Sequence, residues 1–229
     1  MLQTRAVILD LDGIIIDSEP VHQRAFEQLL ARHGIDHKFS EKEYGRHFVG
    51  IPVYENARRL IEQFGLKMTA QEVLAEREQI YETMLGKPAN LIPMPGVFAL
   101  LDDLRARGLP LGVASGSPRN QVDAVLSGLK IAARFRAVVT GTDVPHTKPA
   151  PDVYLRATGE LGIAPAKCVA IEDSATGITS AKTAGLLTIA VPNRYTAHQD
   201  LSRADARVEG LKQIVACLRS DSGPWAQGQ

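Results

Sequence analysis

The chain has 229 residues, enough for one large domain or for a core carrying a smaller inserted one. Its 26 lysines and arginines balance 26 aspartates and glutamates, which argues against a nucleic-acid or anionic-membrane surface as its main business. Cys168 and Cys217 stand far apart with no C-x-x-C and no neighbouring histidine pair, so neither a zinc site nor a disulfide framework is expected, and a reducing compartment fits. The N-terminal apolar run is broken by Asp10 and Asp12, and no stretch approaches the roughly 18 apolar residues of a membrane span. A soluble, cytoplasmic protein is expected.

The first element is the run Ala6-Val7-Ile8-Leu9-Asp10-Leu11-Asp12-Gly13. Its continuous apolar character reads as a strand buried on both faces, the centre of a parallel sheet. It ends in two carboxylates at i, i+2 spacing, and Gly13 behind them permits the positive φ of an immediate turn. Two acids at the carboxyl end of a central strand sit where open α/β sheets hold their ligands. Such a pair can bind a hard divalent cation or divide into a nucleophile and a proton carrier. Ile14-Ile15-Ile16 suits a short hairpin or flap.

From Asp17 to Ile92 the sequence reads as helices without a strand. Pro20 marks a helix start, with Val21, Ala25, Phe26, Leu29 and Leu30 at helical spacing up to Gly34. Ser40 with Glu43 and Thr69 with Glu72 have the form of capping boxes, the second ahead of a long run from Val73 to Leu85. Between them Tyr54 to Phe64 is another amphipathic helix. After Pro93-Met94-Pro95-Gly96 helix and strand alternate. Helices are expected over Val97–Arg107, from Pro118 towards Leu129, to Leu161 and to Ala184. Strands are expected over Leu109–Ala114, Ala137–Thr140, Val169–Ile171 and Leu186–Val191. Repeated βα units of this kind build a parallel sheet with helices on both faces. The expected architecture is therefore an α/β, Rossmann-like, doubly wound core over residues 1–17 and 93–219, with an inserted all-helical cap over 18–92 and a mobile tail at 220–229. The two ends of the insertion are expected close together on the carboxyl edge of the sheet.

Strand ends and the loops behind them carry Asp10 and Asp12, Ser115, Lys148, and Glu172 with Asp173. In a parallel sheet these ends converge on one crevice. Several carboxylates for a magnesium ion, a hydroxyl with adjacent backbone N–H groups for an anion, and one ammonium make up the equipment for phosphoryl transfer. Each residue also has a plainer role. Glu172 and Asp173 suit the start of a helix, and Ser115 could cap one, although Ser117 before Pro118 is the better cap.

Four motifs, Asp-Leu-Asp-Gly-(x)3-Asp-Ser-Glu, Ala-Ser-Gly-Ser, Lys-Pro-Ala-Pro-Asp and Glu-Asp-Ser-Ala-Thr-Gly-Ile, resemble in order and spacing those of the haloacid dehalogenase superfamily. More narrowly the chain resembles its helical-cap subgroup of β-phosphoglucomutase-like proteins, phosphoglycolate phosphatase and sugar-phosphate phosphatases. The resemblance implies that Asp10 is the nucleophile, becoming an aspartyl-phosphate, and that Asp12 is the acid and base of the two half-reactions. It implies that Asp10, the Asp12 carbonyl, Glu172 and Asp173 hold Mg2+. Ser115 and the Gly116 N–H would hold the transferring phosphoryl group, with Lys148 pairing to it and to Asp10. His22 and Arg77 in the cap fall where relatives contact substrate, and each reads equally well as a helix-surface residue.

These readings converge on a phosphatase acting on a small phosphorylated sugar, polyol or glycolate-like acid, as a monomer or weak homo-oligomer. A mutase is the alternative. It would need a fixed cation for a second phosphate, whereas Gly50-Ile51-Pro52-Val53-Tyr54 offers none before Arg58. A phosphate-binding regulatory protein would lack turnover, and a dehalogenase would lack the second aspartate of the first motif.

Overall fold

The computed structural model describes residues 4–49, 51 and 53–219; the tail expected to be mobile, and Gly50 and Pro52, lie outside them. The chain forms two compact units, one from residues up to Asp17 together with those from Ile92 onward, the other Ser18–Leu91.

The first unit is a six-stranded sheet: β1 (Ala6–Leu9), β2 (Leu111–Ala114), β3 (Ala137–Val139), β4 (Cys168–Glu172), β5 (Leu187–Ala190) and β6 (Ala206–Arg207), in the order β3-β2-β1-β4-β5-β6. Every pairing is parallel. Strand β1 is central and wholly buried, as its unbroken apolar run requires. Ala6 and Ile8 face a layer containing Val153, Tyr154 and Ala157, with Cys168 and Ala170 beside them on the same face. By the period of two, Val7 and Leu9 serve the opposite, equally buried face. Leu9 is level with Val113 and Ile171. The residues that follow on the three strands, Asp10, Ala114-Ser115 and Glu172-Asp173, therefore reach the carboxyl edge together.

Strand β2 begins two residues later than expected, just past Pro110, which has no N–H to donate to a ladder. Strand β6 was not expected at all: two residues with a solvated Arg207 give no apolar run to read. Asp17 N–H donates to Ile92 O at 2.8 Å and Ile16 pairs antiparallel with Pro93, so the points where the chain leaves and re-enters this unit lie side by side.

The second unit holds α1 (Glu19–Arg32), α2 (Glu41–His47), α3 (Val53–Phe64) and α4 (Ala70–Leu85). Helices α1 and α4 pack against each other, as do α3 and α4. The Thr69–Glu72 box is complete, with Thr69 Oγ1 accepting from Glu72 N–H and the Glu72 carboxylate accepting from Thr69 N–H. The box at Ser40 forms only its first half, Ser40 Oγ accepting from Glu43 N–H at 3.2 Å. Back in the first unit the remaining helices are α5 (Val97–Ala106), α6 (Arg119–Gly128), α7 (Asp152–Leu161), α8 (Ala175–Thr183) and α9 (Ile214–Arg219). Among the described residues no helix is long and apolar enough to cross a membrane.

Candidate active site

Asp10 stands one residue past β1, fixed there by its own N–H donating to Ile171 O at 3.0 Å. Its Oδ1 accepts the Leu11 N–H at 2.7 Å and lies 2.7 Å from Lys148 Nζ. Lys148 also donates to Oε1 of Glu172 at 2.7 Å, so one buried ammonium serves two buried carboxylates. Burial and then the charge of Glu172 push Asp10 well above the usual carboxylate range, with Lys148 acting in the opposite sense. Burial works against the charge of Lys148, but Asp10 and Glu172 outweigh it and hold its pKa above the ordinary lysine value.

Glu172 ends β4 and is completely buried. Besides Lys148, its Oε1 accepts the Tyr154 hydroxyl at 2.7 Å, and Oε2 accepts the Ser174 hydroxyl at 3.3 Å. A Cβ on Gly177 would stand 2.0 Å from both carboxylate oxygens, so the first turn of α8 has to carry a glycine there. Asp173 Oδ2 accepts from Asn193 Nδ2 at 2.7 Å. Asn193 is oriented by its own Oδ1, which accepts the N–H groups of Tyr195 and Thr196 at 2.8 and 3.2 Å. Gly13 has φ +77, the left-handed turn expected of it.

Asp10, Glu172 and Asp173 each offer a carboxylate oxygen within 4.8 Å of the others, all buried. Oxygen-only donors suit a hard cation such as Mg2+, and three buried acids, two of which share Lys148, leave a negative excess that a divalent cation would relieve. The donor set therefore fits the expected metal, with one adjustment. Glu172 Oε1 is engaged by Lys148 and Tyr154, leaving Oε2 as its better-placed ligand atom.

Ser115 is fully buried behind β2, its N–H donating to Val139 O at 3.0 Å and its Oγ accepting the Ser117 N–H at 3.0 Å. Gly116 beside it is exposed. Ser117 departs from the role expected of it. The cap position of α6 falls on Pro118 and carries no side-chain bond, and the Ser117 hydroxyl instead donates to Oδ2 of Asp12 at 2.8 Å.

In the helical unit His22 and Arg77 come together. Arg77 is 2% exposed, which overturns a solvated-face reading. Its guanidinium contacts His22 Nδ1, pairs with Glu78 at 2.6 Å and lies over the rings of Tyr81 and Phe26 at 4.7 and 5.1 Å. His22 stacks on Tyr81 with centroids 4.1 Å apart. Burial first, and then the Arg77 charge, hold the His22 pKa well below its ordinary value.

Sequence reasoning missed Tyr154 and Asn193. Tyr154 sits on the apolar stripe of α7 and reads as core. Asn193 lies in the loop behind β5, the same kind of position that revealed the other site residues, so that signal was available.

Residues 7–191 match the family model described as haloacid dehalogenase-like hydrolase. The protein CbbY of Rhodobacter capsulatus is 34% identical over 92% of this chain and 95% of its own. Hexitol phosphatase B of Escherichia coli is 28% identical over 93% and 96%. The crystal structure of CbbY from Rhodobacter sphaeroides in complex with phosphate superimposes with a TM-score of 0.77 at 26% identity, covering 92% of this chain and 96% of that one. The chain, with its acids and lysine gathered at the carboxyl edge of a parallel sheet, belongs to the haloacid dehalogenase-like hydrolase family.

Proposed function

We propose that this hydrolase is a magnesium-dependent phosphatase of a small phosphorylated metabolite, a sugar or polyol phosphate before a glycolate-like one, working through an aspartyl-phosphate at Asp10. The observation that carries this reading is the different setting of two neighbouring acids: Asp10 is bound to Lys148 within the buried acid cluster, while Asp12 accepts the Ser117 hydroxyl. The name of one relative, hexitol phosphatase B, supports the substrate class.

In this mechanism a carboxylate oxygen of Asp10 forms a bond to phosphorus. The bond from phosphorus to the ester oxygen breaks, its electron pair goes to that oxygen, and Asp12 supplies the proton. Asp12, now a carboxylate, takes a proton from a water that attacks the acyl phosphate, releasing inorganic phosphate and restoring Asp10. Lys148, together with the bound cation, would hold Asp10 ionised against its burial and the charge of Glu172, and it offsets the charge of the phosphoryl group. Ser115 and the Gly116 N–H are assigned to its non-bridging oxygens. Asp10, the Asp12 carbonyl, Glu172 and Asp173 would hold Mg2+, whose contribution is to neutralise charge as the phosphoryl group transfers. His22 and Arg77 are assigned to substrate choice.

Hydrolysis is preferred to an intramolecular mutase. Of the arginines that could grip a second phosphate, Arg46 and Arg58 are exposed, Arg58 as a partner of Glu55 and Glu62, and Arg77 is buried among rings. The test is phosphate release from a panel of phosphorylated sugars, polyols and phosphoglycolate, with Mg2+ and then with chelator. Metal-dependent release from some of them is expected, and no turnover across the panel would leave a phosphate-binding protein. β-Glucose 1-phosphate with a trace of the 1,6-bisphosphate should yield phosphate; glucose 6-phosphate accumulating faster would make the enzyme a mutase.

A further inference from the structure

The hydroxyl of Ser117 has no helix to cap and is turned back across the crevice edge to Asp12. Its position is set from three sides. The Ser117 N–H donates to Ser115 Oγ at 3.0 Å. Its carbonyl accepts the Gly141 N–H at 3.0 Å. Pro118 behind it has a backbone fixed at φ −61, ψ 152. The next residue, Arg119, is tied to Val138 O at 2.8 Å and to Asp143, so the loop is anchored on both flanks.

A hydroxyl so placed can do something specific to a carboxylic acid. It donates to Oδ2 of Asp12 at 2.8 Å. A protonated carboxyl carries its proton on one oxygen, and an oxygen already accepting the Ser117 hydroxyl is the poorer site for it, because two hydrogens would then compete for the same contact. The acid proton is then left on Oδ1, to which no described residue donates a hydrogen bond. We propose that Ser117 is a positioning residue for proton transfer: it selects Oδ1 as the proton-bearing oxygen of Asp12 and holds it in the rotamer that meets the leaving group. This rests on the acid role of Asp12 given above. In the first half-reaction the Oδ1 proton passes to the ester oxygen as that oxygen takes the electron pair of the breaking bond. In the second, Oδ1 receives a proton from water, and Oδ2 keeps its bond to Ser117 throughout.

The role is separable from a merely structural tie between loop and strand, because proton delivery matters in proportion to the basicity of the leaving group. An aryl oxide such as 4-nitrophenolate departs with little help, and an alkoxide needs a proton. The experiment measures kcat/KM, which reports formation of the phosphoryl-enzyme, for 4-nitrophenyl phosphate, phenyl phosphate and an alkyl phosphate. The proteins are wild type, Ser117→Ala, Ser117→Thr and Asp12→Asn, with thermal unfolding of each as a control. Ser117→Ala should lose about 3-fold on 4-nitrophenyl phosphate and about 30-fold on the alkyl ester, a fraction of the general-acid effect. Ser117→Thr, which keeps the hydroxyl, should recover most of that loss. Asp12→Asn should show the same gradient, more steeply. A uniform loss for Ser117→Ala beside a graded loss for Asp12→Asn would overturn the positioning role and leave Asp12 as the acid. A flat profile for Asp12→Asn would remove the acid role itself, and the role of Ser117 with it.

Discussion

Gly13 and Asp173 meet at the centre of the candidate site: a Cβ on Gly13 would lie 2.2 Å from Oδ2 of Asp173 and 2.8 Å from the Asn193 amide that holds it. The glycine behind the first strand thus makes room for an acid from the last motif, in addition to turning the chain at φ +77. Gly13→Ala should cost about 1–2 kcal/mol for the left-handed backbone alone. By displacing Asp173 it should also weaken Mg2+ binding by about 10-fold or more. Urea unfolding and calorimetric titration with Mg2+ read the two effects separately. An unaltered Mg2+ affinity would mean that Asp173 does not ligate the ion.

Asn193 acts on the same acid from the other side, and its orientation is dictated by the two backbone N–H groups on its Oδ1. Asn193→Leu should weaken Mg2+ binding by about 10- to 100-fold, the usual cost of losing a partner behind a metal ligand. Comparing the Mg2+ dependence of activity with the calorimetric affinity checks it: both should shift together, with turnover at saturating metal largely restored.

Lys148 is the common cation of Asp10 and Glu172, and all three side chains are at least nine-tenths buried. Lys148→Met leaves two buried carboxylates without their partner, a loss of about 3–5 kcal/mol. Adding Glu172→Gln removes one of those charges, so the double variant should be less destabilised than the two single losses summed. A double-mutant cycle by urea unfolding measures this, and additivity would mean that the pair is not coupled.

His22 supplies a pH dependence whose sign can be worked out. Its folded pKa lies below the unfolded value of about 6.5, because burial and the Arg77 charge disfavour the imidazolium. The unfolded chain therefore binds more protons between those two values. The stability that comes from keeping His22 neutral is fully present above about pH 6.5 and is lost as pH falls through the lowered folded value. Relative to wild type, His22→Gln should flatten the decline in melting temperature between pH 7 and pH 5. Parallel declines in the two proteins would place the imidazole in a solvated setting.

Much of this was legible in the chain, for identifiable reasons. Apolar runs ending in acids announce strands of a parallel sheet, whereas the register that levels Leu9 with Val113 and Ile171 is not written in runs buried on both faces. Asp10, Lys148, Glu172 and Asp173 could be placed together because strand ends converge. What escaped was set by individual side-chain geometry. Ser117 precedes a proline at a helix start and so reads as a cap, and only the fold reveals that its hydroxyl reaches Asp12. Tyr154 has the spacing of a core residue, and the bond from its hydroxyl to Glu172 leaves no trace in periodicity. Arg77 sits among charged neighbours on α4, yet lies between aromatic rings and His22, a contact between two helices that neither helix announces alone.

The central claim is that phosphorus passes through Asp10. Its most direct test is mass spectrometry of the acid-quenched enzyme during turnover of 4-nitrophenyl phosphate with Mg2+, a substrate whose leaving group needs little protonation, using the Asp12→Asn variant to slow breakdown of the acyl phosphate. A mass increase of one phosphoryl group is expected on the peptide containing Asp10, labile to hydroxylamine and absent in Asp10→Asn. Steady phosphate release with no phosphorylated Asp10 at any time point, or turnover retained by Asp10→Asn, would contradict it.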